Sequence, residues 1–180
     1  MAPSRVLVIH SSRFGLSTQI AQTISEQIQA AGVETDVVAL TASTAPDPSR
    51  HRAMVLVMSV RYGHFDKNAA RFVHTYRAWL DSVPTLLVTV SLTARTEEKR
   101  DPAKHVYTRK FLEKTDWMPG QTEVVAGTLD YPSYSFLDRK AIQLIMHITH
   151  GPTDPTLTIE YTDWDRVREV GREFAATLAR

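Results

Sequence analysis

Seven consecutive residues near the start of the chain, Ser11-Ser12-Arg13-Phe14-Gly15-Leu16-Ser17, bring three hydroxyls, one cation and one glycine between an apolar run and a helical pattern. Backbone N–H groups and hydroxyls at a helix N-terminus suit a terminal phosphate. Ser12, Gly15, Ser17 and Thr18 are small enough for the backbone to close around one. The same residues equally suit a serine-rich helix cap. Neither the GxGxxG dinucleotide fingerprint nor the lysine-bearing loop of nucleoside triphosphatases occurs here, which argues against both chemistries. A second cluster, Val60-Arg61-Tyr62-Gly63-His64-Phe65, sets aromatic rings around a glycine. Such a wall suits a planar heteroaromatic ring; the alternative is that Tyr62 and Phe65 cover a sheet edge.

Elements on either side must position these residues. Residues 6–9 form a β-branched-rich run, as in a strand buried on both faces. Ile20, Ala21, Ile24 and Ile28 then recur at helical spacing as far as residue 31, where Gly32 supplies a stop, and a second strand follows over 35–40. Strand, helix and strand make a βαβ unit with a right-handed crossover. Residues 53–59, 85–90 and 123–127 read as three more strands, and 68–80, 105–115 and 163–178 as helices, the last capped by Asp163. Residues 91–101 read as a charged loop. The whole predicts one α/β domain over residues 1–180: a doubly wound, five-stranded parallel sheet with helices on both faces.

One stretch breaks the alternation. Residues 128–162 make a long insertion before the last helix, carrying an apolar stripe of Leu137, Ala141, Leu144, Ile145 and Ile148. An inserted helix packed on the core, a lid over an apolar ligand and an interfacial helix all fit that stripe. Doubly wound sheets bind ligands beyond the carboxyl ends of their strands, where strand order reverses. The loops at 11–17, 61–66, 91–95 and 128–134 are therefore the candidates. A phosphate at one end and a flat ring at the other have the outline of flavin mononucleotide (FMN).

Composition narrows the chemistry. Twenty-one basic against twenty acidic residues give net +1, so no global field draws in nucleic acid. Absence of cysteine excludes disulfides, thiolate metal sites, iron–sulfur clusters and a cysteine nucleophile, and agrees with a reducing cytoplasm. No window approaches the length of a membrane-spanning apolar run. His147 and His150, with Asp154 nearby, lack a carboxylate at helical spacing, and no metal site is expected. Residues 95–114 hold seven basic and four acidic side chains, net +3, which suits either a solvated helix face or contact with anionic headgroups.

SSRFGLS after the first strand resembles the flavodoxin phosphate loop. More narrowly, SSRFGLSTQIA, SVRYGHF, VSLTARTEEKRDP, YTRKFLEKTDWMP, VVAGTLDYPSYSFLDRKAIQLIMHI and YTDWD resemble the flavodoxin-like, menaquinone-dependent protoporphyrinogen oxidase family of bacteria, over residues 5–165. Ser12 and Ser17 stand where threonines are common in that family, and Phe14 where a polar residue is common. The resemblance implies a flavodoxin-like fold, FMN as cofactor, protoporphyrinogen IX as substrate in haem biosynthesis, and menaquinone or ubiquinone as acceptor. It also implies a cytoplasmic protein held peripherally on the lipid of the inner membrane face. A homo-oligomer stays open.

Carried over by position, Ser11, Ser12, Arg13, Phe14, Gly15, Leu16 and Ser17 would hold the phosphate. Arg61, Tyr62, Gly63 and His64 would border the ring on one side, and Ser91, Leu92 and Thr93 on the other. Arg95, Lys99 and Arg100 would pair with substrate propionates or with lipid, and Tyr131 and Tyr134 would flank the macrocycle. His64 is the candidate proton relay, imidazole titrating near neutrality, or else a structural neighbour of the ring. An FMN electron carrier without an organic substrate is the alternative, and a flavin-free binding module a third; such carriers are usually strongly acidic, unlike this chain.

Overall fold

The computed structural model describes residues 4–179. Strands β1 (Arg5–Ser11), β2 (Thr35–Ala39), β3 (His51–Ser59), β4 (Thr85–Ser91) and β5 (Gln121–Ala126) form one parallel sheet in the order β2-β1-β3-β4-β5. This is the predicted flavodoxin-like order, and its switch point lies between β1 and β3. Helices α1 (Leu16–Ala30) and α6 (Trp164–Leu178) cover one face. Helices α2 (Lys67–Thr75), α3 (Arg77–Leu80) and α4 (Val106–Thr115) cover the other.

Burial on both faces is why the strands read as unbroken apolar runs. Val6, Val8, Val55 and Val57 join Ile20, Ile24 and Phe174 beneath α1 and α6. Their neighbours Leu7, Ile9, Leu56 and Met58 join Phe72, Phe111 and Trp117 on the opposite side. Asp163 caps α6 as expected, its side chain accepting from the Arg166 N–H at 3.0 Å.

Two local expectations need correction. Helix 68–80 is broken at Tyr76, whose backbone (φ −105°, ψ 16°) separates α2 from α3. With α3 re-aimed, Arg77 reaches the Thr115 carbonyl at 3.2 Å and Trp79 the His51 carbonyl at 3.4 Å. Apolar spacing ran on through the break and concealed it. The charged loop at 91–101 is instead wound into two 3-10 turns, Leu92–Arg95 and Glu97–Arg100.

The insertion is a small unit with its own core. Strands β6 (Thr128–Asp130) and β7 (Thr158–Glu160) pair antiparallel, and helix α5 (Phe136–Ile148) lies between them in sequence. Leu129, Tyr131, Tyr134 and Met146 form the buried centre, against Leu92 and Ile142. The expected apolar stripe is not the packed face. Leu137, Leu144 and Ile148 are 76%, 60% and 67% exposed, while Asp138, Ile142 and Met146 turn inward. α5 is apolar on two adjacent faces, so periodicity alone could not tell which one packs. Its C-terminal end closes through left-handed His150 (φ 54°), with the Gly151 N–H donating to Met146 at 2.7 Å and the His150 N–H to His147 at 3.3 Å. The Arg95 guanidinium caps that end by donating to the Thr149 carbonyl and, at 3.2 Å, to its hydroxyl.

Candidate functional site

A cavity of about 380 Å³ opens above the β1/β3 switch point, walled by the loops after β1, β3 and β4 and by the insertion. Its first wall follows from one glycine. Gly15 is left-handed (φ 91°) and starts α1 without a side-chain cap, so the amides of the first turn face outward. Ser12 Oγ accepts from the Gly15 N–H at 3.0 Å and fixes the turn. Ser17 Oγ is buried and has no hydrogen-bond partner. An orphaned hydroxyl beside open helix amides, with no acid in that first turn, suits an oxyanion. These residues fit the phosphate of FMN.

The second wall is a tight reversal. Arg61 and His64 pair across it (N–H to carbonyl, 2.7 and 2.9 Å), with Tyr62 at φ 48° and Gly63 at φ 79°. A Cβ on Gly63 would lie 3.3 Å from the Tyr107 ring. The Arg61 guanidinium stands 4.8 Å over the Tyr62 ring. Ser11 donates to Asp66 at 3.1 Å, and Asp66 also caps α2 by accepting from the Asn68 N–H, so the first two walls are tied together.

The third wall comes from Ser91, Leu92 and Thr93. Ser91 and Thr93 hydroxyls lie 2.8 Å apart, and Thr93 Oγ1 is 3.5 Å from Nε2 of the buried His105. The His105 ring caps α4, its Nδ1 accepting from the Thr108 N–H at 3.4 Å, which leaves the ring hydrogen on Nε2 facing Thr93. Burial, then the charge of Lys99, lowers the His105 pKa.

The insertion supplies the fourth wall through Tyr134, Asp138, Ile142 and Ile145. Tyr134 stacks at a tilt on Phe14, ring centres 5.2 Å apart. Asp138 was not singled out by sequence reasoning and is the most heavily bonded group in the site. It accepts from Ser135 at 2.6 Å, from the Tyr62 hydroxyl and from Arg61 at 3.1 Å, with Arg13 at 3.6 Å. Those of Ser135 and Tyr62 first, then Arg61 and the charge of Arg13, hold its carboxyl far below the ordinary range. One signal was present: Ser135-Phe136-Leu137-Asp138 has the serine-to-acid spacing of a helix-capping box.

Among the expected cofactor residues, Ser12, Arg13, Phe14, Leu16 and Ser17 line the cavity, as do Arg61, Tyr62 and Gly63 and the three residues of the third wall. Ser11 and Gly15 shape the loop without lining it, and His64 is exposed and outside it, its Nδ1 2.9 Å from the Tyr62 carbonyl. Of the expected substrate residues only Tyr134 is on the wall. Tyr131 is wholly buried in the insertion core, its hydroxyl donating to Pro152 at 2.9 Å. Arg95 is engaged at the end of α5, Arg100 donates to the Ala94 carbonyl at 3.1 Å, and Lys99 is exposed away from the cavity.

A sheet of this order, with an open helix start and an aromatic turn at its switch point, is that of a flavodoxin-type protein. The chain belongs to the flavodoxin domain family, whose pattern matches residues 7–156. It is 35% identical over 171 residues to the protoporphyrinogen IX dehydrogenase (quinone) of Escherichia coli strain K12, covering 95% of this chain and 94% of that one. The protein of the same name from Leishmania major is 38% identical over 173 residues, covering 96% and 75%. Among solved structures, a flavodoxin from the domain Archaea superposes with TM-score 0.55 at 11% identity, over 98% of this chain and 99% of that one. At that identity the likeness concerns the fold alone.

His105 gives the fold a pH dependence of definite sign. Its folded pKa lies below that of the unfolded chain, about 6.5 for histidine. Stability is therefore fully present above that value and declines as pH falls through it, because the unfolded state takes up the proton first. Melting temperatures measured from neutral pH to pH about 5 should fall, and His105→Asn, which keeps a capping acceptor, should flatten that decline.

Proposed function

We propose that this chain is an FMN-dependent protoporphyrinogen IX dehydrogenase that delivers electrons to a quinone, menaquinone or ubiquinone, at a membrane surface. The observation that carries the reading is the cavity itself: an uncapped helix start with an orphaned hydroxyl at one end, an aromatic turn at the other, and an apolar insertion closing over both. The names of the relatives at 35% and 38% identity supply the substrate and acceptor.

Ser12, Ser17 and the first amides of α1 would hold the phosphate, and Tyr62 and Leu92 would flank the ring. When bound, FMN supplies a two-electron acceptor, so the protein needs no nucleophile of its own. The chain's part is to bind, orient and exclude water. Ile142, Ile145 and Tyr134 give an apolar macrocycle a surface to lie against. Arg13 and Arg61 are the cations on the wall among the described residues, half-exposed at 50% and 41% of their side chains. We assign the propionates to them rather than to Arg95, Lys99 and Arg100.

The outer face of α5 and the exposed Lys99 suit a lipid surface. Phe136, Leu137, Leu144 and Ile148 project from the helix beside Lys140, and the basic turn reaches the end of the same helix through Arg95. No described helix is long and apolar enough to cross a membrane.

Anaerobic titration of the FMN-loaded protein with protoporphyrinogen IX should bleach the flavin, and a menaquinone analogue should restore its colour; a flavin that stays oxidised would favour the electron carrier. Ser17→Ala should weaken FMN binding roughly tenfold, the scale of one hydrogen bond to a charged group, in a fluorescence titration. The same change should leave the flavin-free melting temperature equal or higher, since a buried unpartnered hydroxyl is removed. Replacing Leu137, Leu144 and Ile148 together by serine should abolish co-flotation with anionic vesicles without lowering the affinity for FMN.

A further inference from the structure

The reversal at Tyr62 is a costly place for an aromatic residue. At φ 48° Tyr62 occupies the left-handed region, which glycine, asparagine and aspartate enter far more readily. The two-residue turn closed by Arg61 and His64 would ordinarily favour Asn-Gly, and here reads Tyr-Gly. From within the turn the Arg61 guanidinium stacks over the ring. A second compensating contact comes from the insertion.

Asp138 is 4% exposed at the N-terminal end of α5. One of its oxygens accepts from the Tyr62 hydroxyl and from Arg61; the other accepts from Ser135 and faces Arg13. Each oxygen faces a guanidinium, which can only donate, so a carboxylate fits where an amide would set its N–H groups against one of them. A single side chain therefore joins α5 to the loop after β1 and the loop after β3. Beside it the Phe14–Tyr134 stack, 5.2 Å between ring centres, joins the insertion to the loop after β1.

We propose that Asp138 is a positioning residue for the ring end of the cavity: it locks Tyr62 into the left-handed turn and holds α5 down over the site, so that cofactor loading and closure of the insertion strengthen one another. This rests on the flavin reading given above. A wall already fixed before the ring arrives spares the ordering cost of binding. Coupling of this kind is reciprocal, so whatever Asp138 adds to cofactor affinity the cofactor adds to the closed insertion.

The test uses the full chain stripped of flavin, with FMN as the probe. FMN affinity is read by fluorescence quenching, and closure by trypsin cleavage after Arg139 and Lys140 with and without FMN. In the unaltered protein FMN should bind and slow the cleavage. Asp138→Asn and Tyr62→Phe should each weaken FMN roughly tenfold and remove the protection, and the double variant should be no weaker than Asp138→Asn alone, because both act through one contact. Affinity and protection equal to the unaltered protein's in either variant, or losses that add in the double variant, would overturn the proposal. Should Asp138→Asn not fold, Tyr62→Phe, which removes one hydroxyl from a half-exposed ring, decides alone by the same two readouts. Unaltered protein that binds no FMN would instead sink the flavin reading.

Discussion

A parallel sheet whose strand order reverses must open a crevice over the strand where it turns, and every functional feature of this molecule hangs on that constraint. β1 hydrogen-bonds to β2 on one side and β3 on the other, in register from Val6 to His10 on both. The crossovers leave in opposite directions, so the loops after β1 and β3 stand apart. Short polar links hold the two loops at a fixed distance, Ser11 to Asp66 directly and Arg13 to Arg61 through Asp138. The sheet below is apolar and continuous and cannot adjust, which makes the crevice a rigid mould.

What distinguishes this chain from a bare sheet of that type is the material that follows β5. The insertion brings a side wall, a second small core and a carboxylate buried among donors. Burying a charge is costly unless partners surround it, and here two guanidiniums, a phenol and a serine do so. The arginines keep half their side chains in solvent, so they remain able to meet an anionic ligand while anchored from behind.

Most of the scaffold was legible in the residues because both faces of the sheet are covered. Runs such as AMVLVMS and TLLVTV admit few other interpretations, and the helices between them carry regular stripes. The cavity-lining loops were legible for the same reason, since the fold dictates where they lie. Elsewhere information was missing from any local window. β6 and β7 are three residues each, too short for alternation to register. The charge of Arg95 was visible, but its acceptor at Thr149 was not, so a structural cap looked like a ligand contact. His64 follows two left-handed residues that no pattern announced, and the reversal carries its ring out of the site. Asp138 gains its meaning from Tyr62 and Arg61, far away in sequence.

Helix α5 is fastened at one end by the carboxylate of Asp138 and at the other by the guanidinium of Arg95, with Ile142 and Met146 held in the insertion's apolar core between them. Salt weakens exposed ion pairs far more than buried ones, so the burial of Asp138 shields its fastening from ionic strength. The flap over the crevice therefore keeps its place across the same range of salt as the apolar floor beneath it.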